Sequence, residues 1–323
     1  MIDIRREKMF PNDVFVMDHL VPNVNYLNDV DKIKKVYSKK LHKARKSGLY
    51  KNYVFYTATD GWHDIFDSFL DSNDIIAITG NYGHSEKWRW FPHWQVVVDG
   101  TDPLPTTKNV PKYRWQYWVR RPRPHRIQLL QEIAKLDIIG GDIIFPTHLI
   151  EPSGRTFPPT EDLFTDKKLY NQISRQFNPP IDIAQGTNGA YVASYETRHD
   201  RAIDVVTETM WNSDGSIFIS EKTFKAIRAG QLFFVLGQKG SIKALKDYGF
   251  KVFDKWIDHS YDSENDMNKR ATIIANELKR ISLFSDSEYK SMWIDTYEDR
   301  LYNQSFKNFK LPYWKKYLNS FFV

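Results

Sequence analysis

The sequence predicts an α/β fold in which two doubly wound, Rossmann-like domains follow one another and face a cleft. Three observations lead to this prediction. Short apolar segments, typical of buried parallel strands, alternate with helical segments in both halves of the chain. A polar, proline-rich segment at residues 103–111 separates the two halves. With 323 residues, of which 41% are hydrophobic, the chain is long enough for one large or two ordinary domains.

Composition limits the class of protein. The chain has no cysteine, which excludes disulfides and cysteine chemistry and fits a reducing compartment. No apolar run is long enough to span a membrane, and Met1–Phe10 is charged, so we expect neither an anchor nor a signal peptide. A net charge of +6 and an isoelectric point of about 9.1 favour a polyanionic partner. We therefore expect a monomeric, cytoplasmic protein.

The first half, residues 1–111, contains a strongly basic segment. Strands are expected at Val14–Met17, Tyr53–Thr57 and Ile75–Thr79. Between the first two, residues 32–51 contain nine lysines and arginines and no acid. Their apolar residues predict a helix with a basic outer face: Ile33, Val36 and Leu41. That face is either an ordinary solvated surface or one that attracts phosphates, and in the second case its candidate contacts are Lys39, Lys40 and Lys43.

A loop rich in aromatic and charged residues is expected after the third strand, at residues 81–94. Trp88, Arg89 and Trp90 combine two stacking surfaces with a cation. Such side chains stack on flat rings and follow phosphates, so they are candidate contacts for an acceptor molecule.

The second half, residues 112–296, begins with a predicted strand at Arg114–Val119 that leads into a basic, proline-containing loop at residues 120–126. An amphipathic helix is expected next, at Ile127–Leu136. A basic loop before a helix, after the first strand of a domain, favours phosphate binding. The candidate contacts are Arg123, His125 and Arg126. The last segment, residues 297–323, is expected to form a helix that packs back on the first domain.

The stretch from Asp204 to Phe253 has the clearest pattern. A helix is expected to begin at Glu221, with Ser220 as its cap and Gly230 as a left-handed end. Leu232–Leu236 is a continuous apolar run typical of a buried parallel strand. Glycines typical of turns follow this strand at Gly237 and Gly240. The next helix is expected to begin with Ser241 as its cap and to end at Gly249.

Charged residues near the start of the first of these helices suggest a ligand. Glu221 and Lys222 lie in the first turn, where the amide groups and the helix dipole favour an anion. A lysine there suits a diphosphate, and a carboxylate suits a pair of sugar hydroxyls. Glu208 is a second carboxylate before the helix. The alternative is that the acid merely stabilises the helix and that Lys222 points to water.

This stretch resembles a known family. The residues T-E-T, followed by F-I-S-E-K-T-F-K-A-I-R-A-G-Q-L-F-F-V-L-G, are similar to the donor-site signature of the family-10 fucosyltransferases. The resemblance implies the GT-B arrangement, with Glu208 at the acidic position and with Glu221 and Lys222 holding the ribose and diphosphate of a nucleotide sugar. Phe218 and Ser220 replace a tyrosine and a threonine of the signature.

The resemblance extends more weakly into the first half, to Phe55–Thr57 and Trp88–Pro92. The glutamate that is the family's candidate general base is replaced by Thr59, so we expect the adjacent Asp60 to be the base. The alternative for Asp60 is a turn with Gly61. Second choices for the base are His63 and Glu86.

Together these expectations describe a glycosyltransferase that uses a UDP- or GDP-sugar. The resemblance implies that the transfer inverts the configuration of the sugar and requires no metal. One acceptor hypothesis is a hydroxymethylated base in double-stranded DNA, because basic, cysteine-free enzymes of this shape are similar to phage enzymes that modify their own genomes. The other is a glycan or lipopolysaccharide. A non-enzymatic nucleic-acid-binding protein is the hypothesis from another class. A hydrolase using His63, His84 and His93 lacks a known metal-ligand spacing.

Overall fold

The structure is a computed structural model that describes residues 9–18, 30–57, 63–80, 82, 86–93, 95, 105–119, 121–145, 159–176, 200–212, 216–305 and 311–322. The chain forms two compact units. The first comprises Met1–Asp102, Ser213–Glu221 and Asn308–Val323, and the second comprises Pro103–Asn212 and Lys222–Lys307. Residues 103–111 and 297–307 thus belong to the second unit.

The elements are numbered in chain order. The strands are β1 (Val14–Asp18), β2 (Asn52–Thr57), β3 (Ile76–Thr79), β4 (Trp88–Trp90), β5 (Tyr113–Trp118), β6 (Gly141–Ile144), β7 (Arg201–Thr207) and β8 (Leu232–Leu236). The helices are α1 (Val30–Ser47), α2 (His63–Asp71), α3 (Pro124–Lys135), α4 (Lys167–Gln176), α5 (Glu221–Arg228), α6 (Ser241–Tyr248), α7 (Met267–Ser282), α8 (Asp286–Asp295), α9 (Tyr297–Ser305) and α10 (Leu311–Asn319). Short 3₁₀ turns lie at Thr160–Leu163, Ser260–Ser263 and Ser320–Phe322.

The first unit is built on a parallel sheet of the order β1-β2-β3-β4. One face of the sheet packs on Trp314 and Leu318 of α10. The other face packs on apolar side chains of α1 and α2, among them Tyr37, Leu41 and Phe66. Residues 54–57 of β2 are buried, as is typical of a parallel strand covered on both faces.

Two expectations for this unit are wrong. Val36 is 47% exposed, whereas the buried residues of α1, among those whose side chains the structure describes, are Tyr37, Leu41 and Ala44, spaced by one helical turn. The side chain of Ile33 lies outside the described residues. Val36 precedes Tyr37 by one residue and therefore lies about 100° away around the helix. The expected loop at residues 81–94 also contains a strand, β4, which pairs with β3.

The second unit is built on a parallel sheet of the order β6-β5-β7-β8. The chain moves outward from β5 to β6, returns to the other side of β5 as β7, and continues to β8. The order therefore reverses between β5 and β7, which makes this pair the switch point of the sheet. Helix α3 packs on α4 and α7, and every residue of β8 is buried. The predicted α/β class with two parallel sheets is confirmed.

Helix ends in this unit follow the glycines, with one correction. Gly230 and Gly249 adopt the left-handed φ angles of 64° and 106° that were expected of helix ends. Ser241 does not cap α6, because its hydroxyl donates to the carbonyl oxygen of Gln238. The amides of Ile242 and Lys243 instead donate to the carboxylate of Asp262, at 3.0 Å each. A carboxylate is a stronger acceptor for these amides than a serine hydroxyl.

In the described part of the chain, no helix is long and apolar enough to cross a membrane.

Candidate functional site

The switch point of the second sheet collects most of the candidate donor-binding residues. In open parallel sheets, ligands bind at the carboxyl ends of the strands where the strand order reverses. Arg123, His125 and Arg126 follow β5, and Glu208 follows β7. Since β5 and β7 are neighbours in the sheet, the two segments that leave them meet at the same edge.

Side chains from the loop after β5 bind the main chain after β7. Arg123 Nη1 donates to the carbonyl oxygen of Thr209 at 2.5 Å. His125 Nε2 lies 2.9 Å from the carbonyl oxygen of Glu208. Arg126 Nη2 donates to the carbonyl oxygens of Thr207 and Glu208 at 3.3 Å each. The three residues predicted from the basic loop are thus brought together.

The local sequence explains why this loop turns back. Arg123 has the extended backbone of an N-cap residue, with φ −92° and ψ 153°, and Pro124 begins α3. Proline suits that position because its fixed φ is helical and its missing N–H is not needed there. The next two residues, His125 and Arg126, lie in the first turn and are buried.

His125 is neutral at physiological pH. A carbonyl oxygen only accepts hydrogen bonds, so Nε2 carries the proton that it donates to Glu208. Burial and the nearby Arg126 guanidinium lower the pKa of His125 from its usual 6.5 to about 3. In the described part of the chain, its Nδ1 atom has no hydrogen-bond partner. The positive charge at this edge therefore belongs to the arginines and to Lys222, whereas His125 serves as a neutral polar group.

Lys222 turns toward the same segment. It follows the first residue of α5, and its Nζ donates to Thr209 Oγ1 at 3.2 Å. Arg123 and Lys222 therefore approach Thr209 from two different elements. This geometry places one cation at the main-chain carbonyl group and another at the hydroxyl group of the same residue, and two cations this close together suit an anionic ligand.

Glu208 has a different position from the one expected. Its side chain is 0% exposed, and its carboxylate accepts a hydrogen bond from Thr223 Oγ1 at 2.6 Å. A Cβ atom at Gly237 would lie 3.2 Å from the Glu208 side chain, so only glycine fits without displacing it. Glu208 thus ties β7 to α5 and to the turn after β8, and its carboxylate is not open to a ligand in this structure.

The glycine-containing turn after β8 is not an anion site. Such a turn before a helix often binds phosphate through backbone amides. Here the carboxylate of Asp262 already occupies the amides of Ile242 and Lys243 at the start of α6. An anionic ligand at this edge is therefore directed to Arg123 and Lys222 rather than to α6.

The candidate residues of the first unit are not brought into one group by the described residues. Asp60 lies outside them, as does the side chain of His63, whose backbone begins α2. Glu86 is exposed in the turn before β4. These positions leave the general base as a prediction.

The three candidate acceptor contacts on β4 have different surroundings. Trp88 is 5% exposed in the core, and its Nε1 donates to Asp67 Oδ1 at 2.8 Å, so it cannot stack on an acceptor. Arg89 is exposed; its guanidinium donates to the carbonyl oxygen of Phe321 and lies over that ring. Trp90 is half-buried, with its ring 5.2 Å from that of Tyr82. The Trp88 prediction is wrong because side chains alternate between the two faces of a strand, and that of Trp88 is on the side that faces the core.

Helix α1 presents the basic face that the sequence predicts. Lys39, Lys40 and Lys43 are exposed, outside the buried stripe. Lys40 Nζ lies 5.7 Å from the centroid of the Tyr37 ring, and the Arg45 guanidinium lies 5.1 Å from that of Tyr53. The aromatic rings therefore support part of the cationic surface.

Two residues at the switch point were not identified from the sequence. Thr209 receives the contacts from Arg123 and Lys222. Trp211 is 38% exposed, and its ring centroid lies 6.3 Å from that of the buried His125, with 32° between the planes. The available signals were the T-E-T motif, which contains Thr209, and the place of both residues in the segment before the helix expected at Glu221, since ligand contacts concentrate in such loops.

No cluster of three or more histidine, aspartate or glutamate side chains with the geometry of a metal site occurs among the described residues.

Comparison with known proteins gives only distant structural similarities. No protein-family model matches the chain, so the resemblance to family-10 fucosyltransferases stays an interpretation of its motif. No curated protein matches its sequence.

The chain is similar to the DNA-modifying enzyme β-glucosyltransferase, crystallised with and without uridine diphosphoglucose, at 11% identity and a TM-score of 0.38, over 84% of this chain and 68% of that one. It is similar to the T4 phage enzyme in complex with UDP and Mn²⁺ at 10% identity and a TM-score of 0.34, over 84% and 74% of the two chains. It is also similar to an α,α-trehalose-phosphate synthase (UDP-forming) from Burkholderia vietnamiensis, at 11% identity and a TM-score of 0.43, over 87% and 68%.

Proposed function

We propose that the protein is a glycosyltransferase of the GT-B type that moves a sugar from a UDP- or GDP-sugar to an acceptor hydroxyl group. The observation that carries the proposal is the approach of Arg123 and Lys222 to Thr209 at the switch point of the second sheet. A nucleoside diphosphate carries its charge on two adjacent phosphates, and two cations from separate elements can bind both.

The same cations would act in the reaction. When the bond to the sugar breaks, negative charge develops on the departing diphosphate, and fixed cations that are already in place stabilise that charge. Glu221 would bind the hydroxyl groups of the ribose. Arg126 and His125 would act indirectly, because both hold the main chain after β7.

The acceptor hydroxyl needs a base. We propose Asp60 for this role, with His63 and Glu86 as the second choices. The carboxylate takes the proton of the acceptor hydroxyl while the acceptor oxygen bonds to the anomeric carbon and the bond from that carbon to the nucleoside diphosphate breaks. This direct displacement inverts the configuration at the anomeric carbon. This route requires no metal.

For the acceptor we propose a hydroxymethylated base in double-stranded DNA. The exposed lysines of α1 support this choice, because a row of cations on one helix face suits the phosphates of a duplex. We propose that the protein is a monomer that acts in the cytoplasm, where it would meet both substrates. If its gene belongs to a phage, this is the cytoplasm of the host cell.

Binding of the nucleotide tests the proposal directly. The wild-type protein is titrated with UDP, GDP, CMP and ADP by calorimetry, and its melting temperature is measured with each. We expect UDP or GDP to bind and to raise the melting temperature, and Lys222→Ala to abolish the effect. Lys269→Ala, which removes an exposed lysine of α7, is the matched control. If no nucleotide in the panel binds, the proposal is wrong.

The acceptor is tested separately. Duplex DNA with and without 5-hydroxymethylcytosine is incubated with the donor sugar that binds, and its nucleosides are analysed by mass spectrometry. We expect one hexose or pentose to be added to the hydroxymethylated base only. DNA binding that persists in Lys222→Ala, without transfer by the wild type, would instead indicate a non-enzymatic nucleic-acid-binding protein.

A further inference from the structure

We infer that residues 208–212, here called the exit segment, form a preformed binding surface in which Thr209 donates to a phosphate oxygen and Trp211 stacks on a nucleobase. This inference rests on the proposed function and assigns parts of the nucleotide to two residues that were not among the candidate contacts.

The exit segment is held in place through its backbone. The carbonyl oxygen of Glu208 accepts from His125 and Arg126, and that of Thr209 accepts from Arg123. At its other end, Gln238 Nε2 donates to the carbonyl oxygen of Asn212 at 3.0 Å. His125 and Gln238 are both buried, so the side chains that hold the segment are themselves fixed. A segment ordered in this way loses little conformational entropy when a ligand binds.

Thr209 has the contacts expected of a group that receives an anion. Its Oγ1 accepts a hydrogen bond from Lys222, which leaves the hydroxyl hydrogen to be donated elsewhere. Among the described residues, none accepts that hydrogen. A phosphate oxygen that binds between Arg123 and Lys222 would accept it, and a hydrogen bond to a charged acceptor is stronger than one between neutral groups.

Trp211 offers the apolar surface of the same segment. It is 38% exposed although it is one of the largest side chains, and its ring centroid lies 6.3 Å from that of His125, with 32° between the planes. A large, partly exposed indole ring beside a neutral ring is suited to stacking on a base. Stacking of a base on an aromatic ring tolerates any base, so Trp211 would bind uracil and guanine alike.

Two variants and three probes separate the two contacts. UDP, uridine and inorganic pyrophosphate are titrated into the wild-type protein, Thr209→Val and Trp211→Ala. We expect Thr209→Val to weaken UDP and pyrophosphate about tenfold and to leave uridine unchanged, because it removes a hydrogen bond to a charged group. We expect Trp211→Ala to weaken UDP and uridine about tenfold and to leave pyrophosphate unchanged.

Matched controls lie elsewhere on the second unit. Thr272→Val removes a hydroxyl of α7 that bonds only within its helix, and Tyr302→Ala removes an aromatic side chain of α9 that is 40% exposed. Both should bind all three probes as the wild type does. Thr209→Ser, which keeps the hydroxyl, should restore binding, and Trp211→Phe should keep part of the affinity for uridine.

The outcomes distinguish this inference from the proposed function. If the wild type binds UDP and either variant binds all probes within twofold of the wild type, the inference is overturned and the proposed function stands. If the wild type binds neither UDP nor GDP, the proposed function itself fails. If Thr209→Val does not fold, Thr209→Ala replaces it, and if Trp211→Ala does not fold, Trp211→Leu replaces it. Affinities of these variants within twofold of the wild type for all three probes would also overturn the inference.

Discussion

His125 shows how one residue at the switch point depends on its surroundings. The histidine is buried, donates from Nε2 to a carbonyl group, and lies beside the guanidinium of Arg126. Its place after the first strand of the second half could be predicted from the sequence, although the expected helix began at Ile127 and His125 in fact lies in the first turn of α3. Its neutral state could not, because burial and the distance to Arg126 depend on how two strand ends pack together.

The lowered pKa of His125 has a consequence for stability. Between the folded pKa of about 3 and the ordinary value of 6.5, the unfolded state binds a proton that the folded state does not. The free energy of unfolding contributed by this group is therefore fully present above pH 6.5 and is lost as the pH falls toward 3. Between pH 6.5 and 5, we expect the free energy of unfolding of His125→Gln to fall by about 2 kcal/mol less than that of the wild type. Urea unfolding at several pH values measures this, and parallel pH dependences would contradict it.

The hydrogen bond between Thr223 and Glu208 gives a second prediction about single residues. Thr223→Val removes one donor from a carboxylate that is fully buried, so we expect the free energy of unfolding to fall by about 1–3 kcal/mol. Thr223→Ser keeps the hydroxyl and should retain most of that stability. Chemical denaturation compares the three proteins. Equal stability of the valine and serine variants would show that the hydrogen bond contributes nothing.

Among the elements, the long apolar runs were the most predictable. The run Leu232–Leu236 became β8, and the glycines at 230 and 249 ended their helices as expected. Strand β4 was missed because its three residues are too short to display an alternating pattern. The cap of α6 was missed because Asp262 is distant in sequence, and local signals cannot identify a partner that only folding brings near.

The basic face of α1 gives a prediction for a whole helix. If it binds DNA phosphates, replacing Lys39, Lys40 and Lys43 together by alanine removes up to three phosphate contacts. We expect the slope of log affinity against log salt concentration to decrease in magnitude by about 2–3. Fluorescence anisotropy with a labelled duplex at several salt concentrations measures it.

The control for α1 changes the same number of charges elsewhere. Lys167, Lys255 and Lys269 are exposed on the second unit and can be replaced together. This variant should show a wild-type slope. If both triple variants reduce the slope equally, the effect reflects net charge, and α1 is not a specific contact.

Over the whole molecule, the class of fold was predictable and the strand order was not. Alternating helices and strands imply parallel sheets, but they do not say on which side of β5 the next strand is placed. The order β6-β5-β7-β8 decides which loops meet, and hence that Arg123 and Lys222 both contact Thr209. The residues of the site could thus be named in part from motifs, while their grouping required the topology.

The charges at the switch point also bear on metal dependence. Because Arg123 and Lys222 already supply positive charge beside Thr209, we expect sugar transfer to proceed in about 5 mM EDTA at a rate within twofold of the untreated reaction. Initial rates with and without the chelator measure this. A loss of activity that Mn²⁺ or Mg²⁺ restores would show that a divalent cation takes part.

The backbone contacts that hold residues 208–212 also have a kinetic consequence. A surface that needs no rearrangement is ready at every encounter, so capture of UDP should be a one-step process whose observed rate rises linearly with nucleotide concentration. Stopped-flow traces that level off at high UDP would reveal a preceding isomerisation. Gln238 anchors the far end of the segment, so removing its side-chain amide is the change that we expect to introduce an isomerisation before binding.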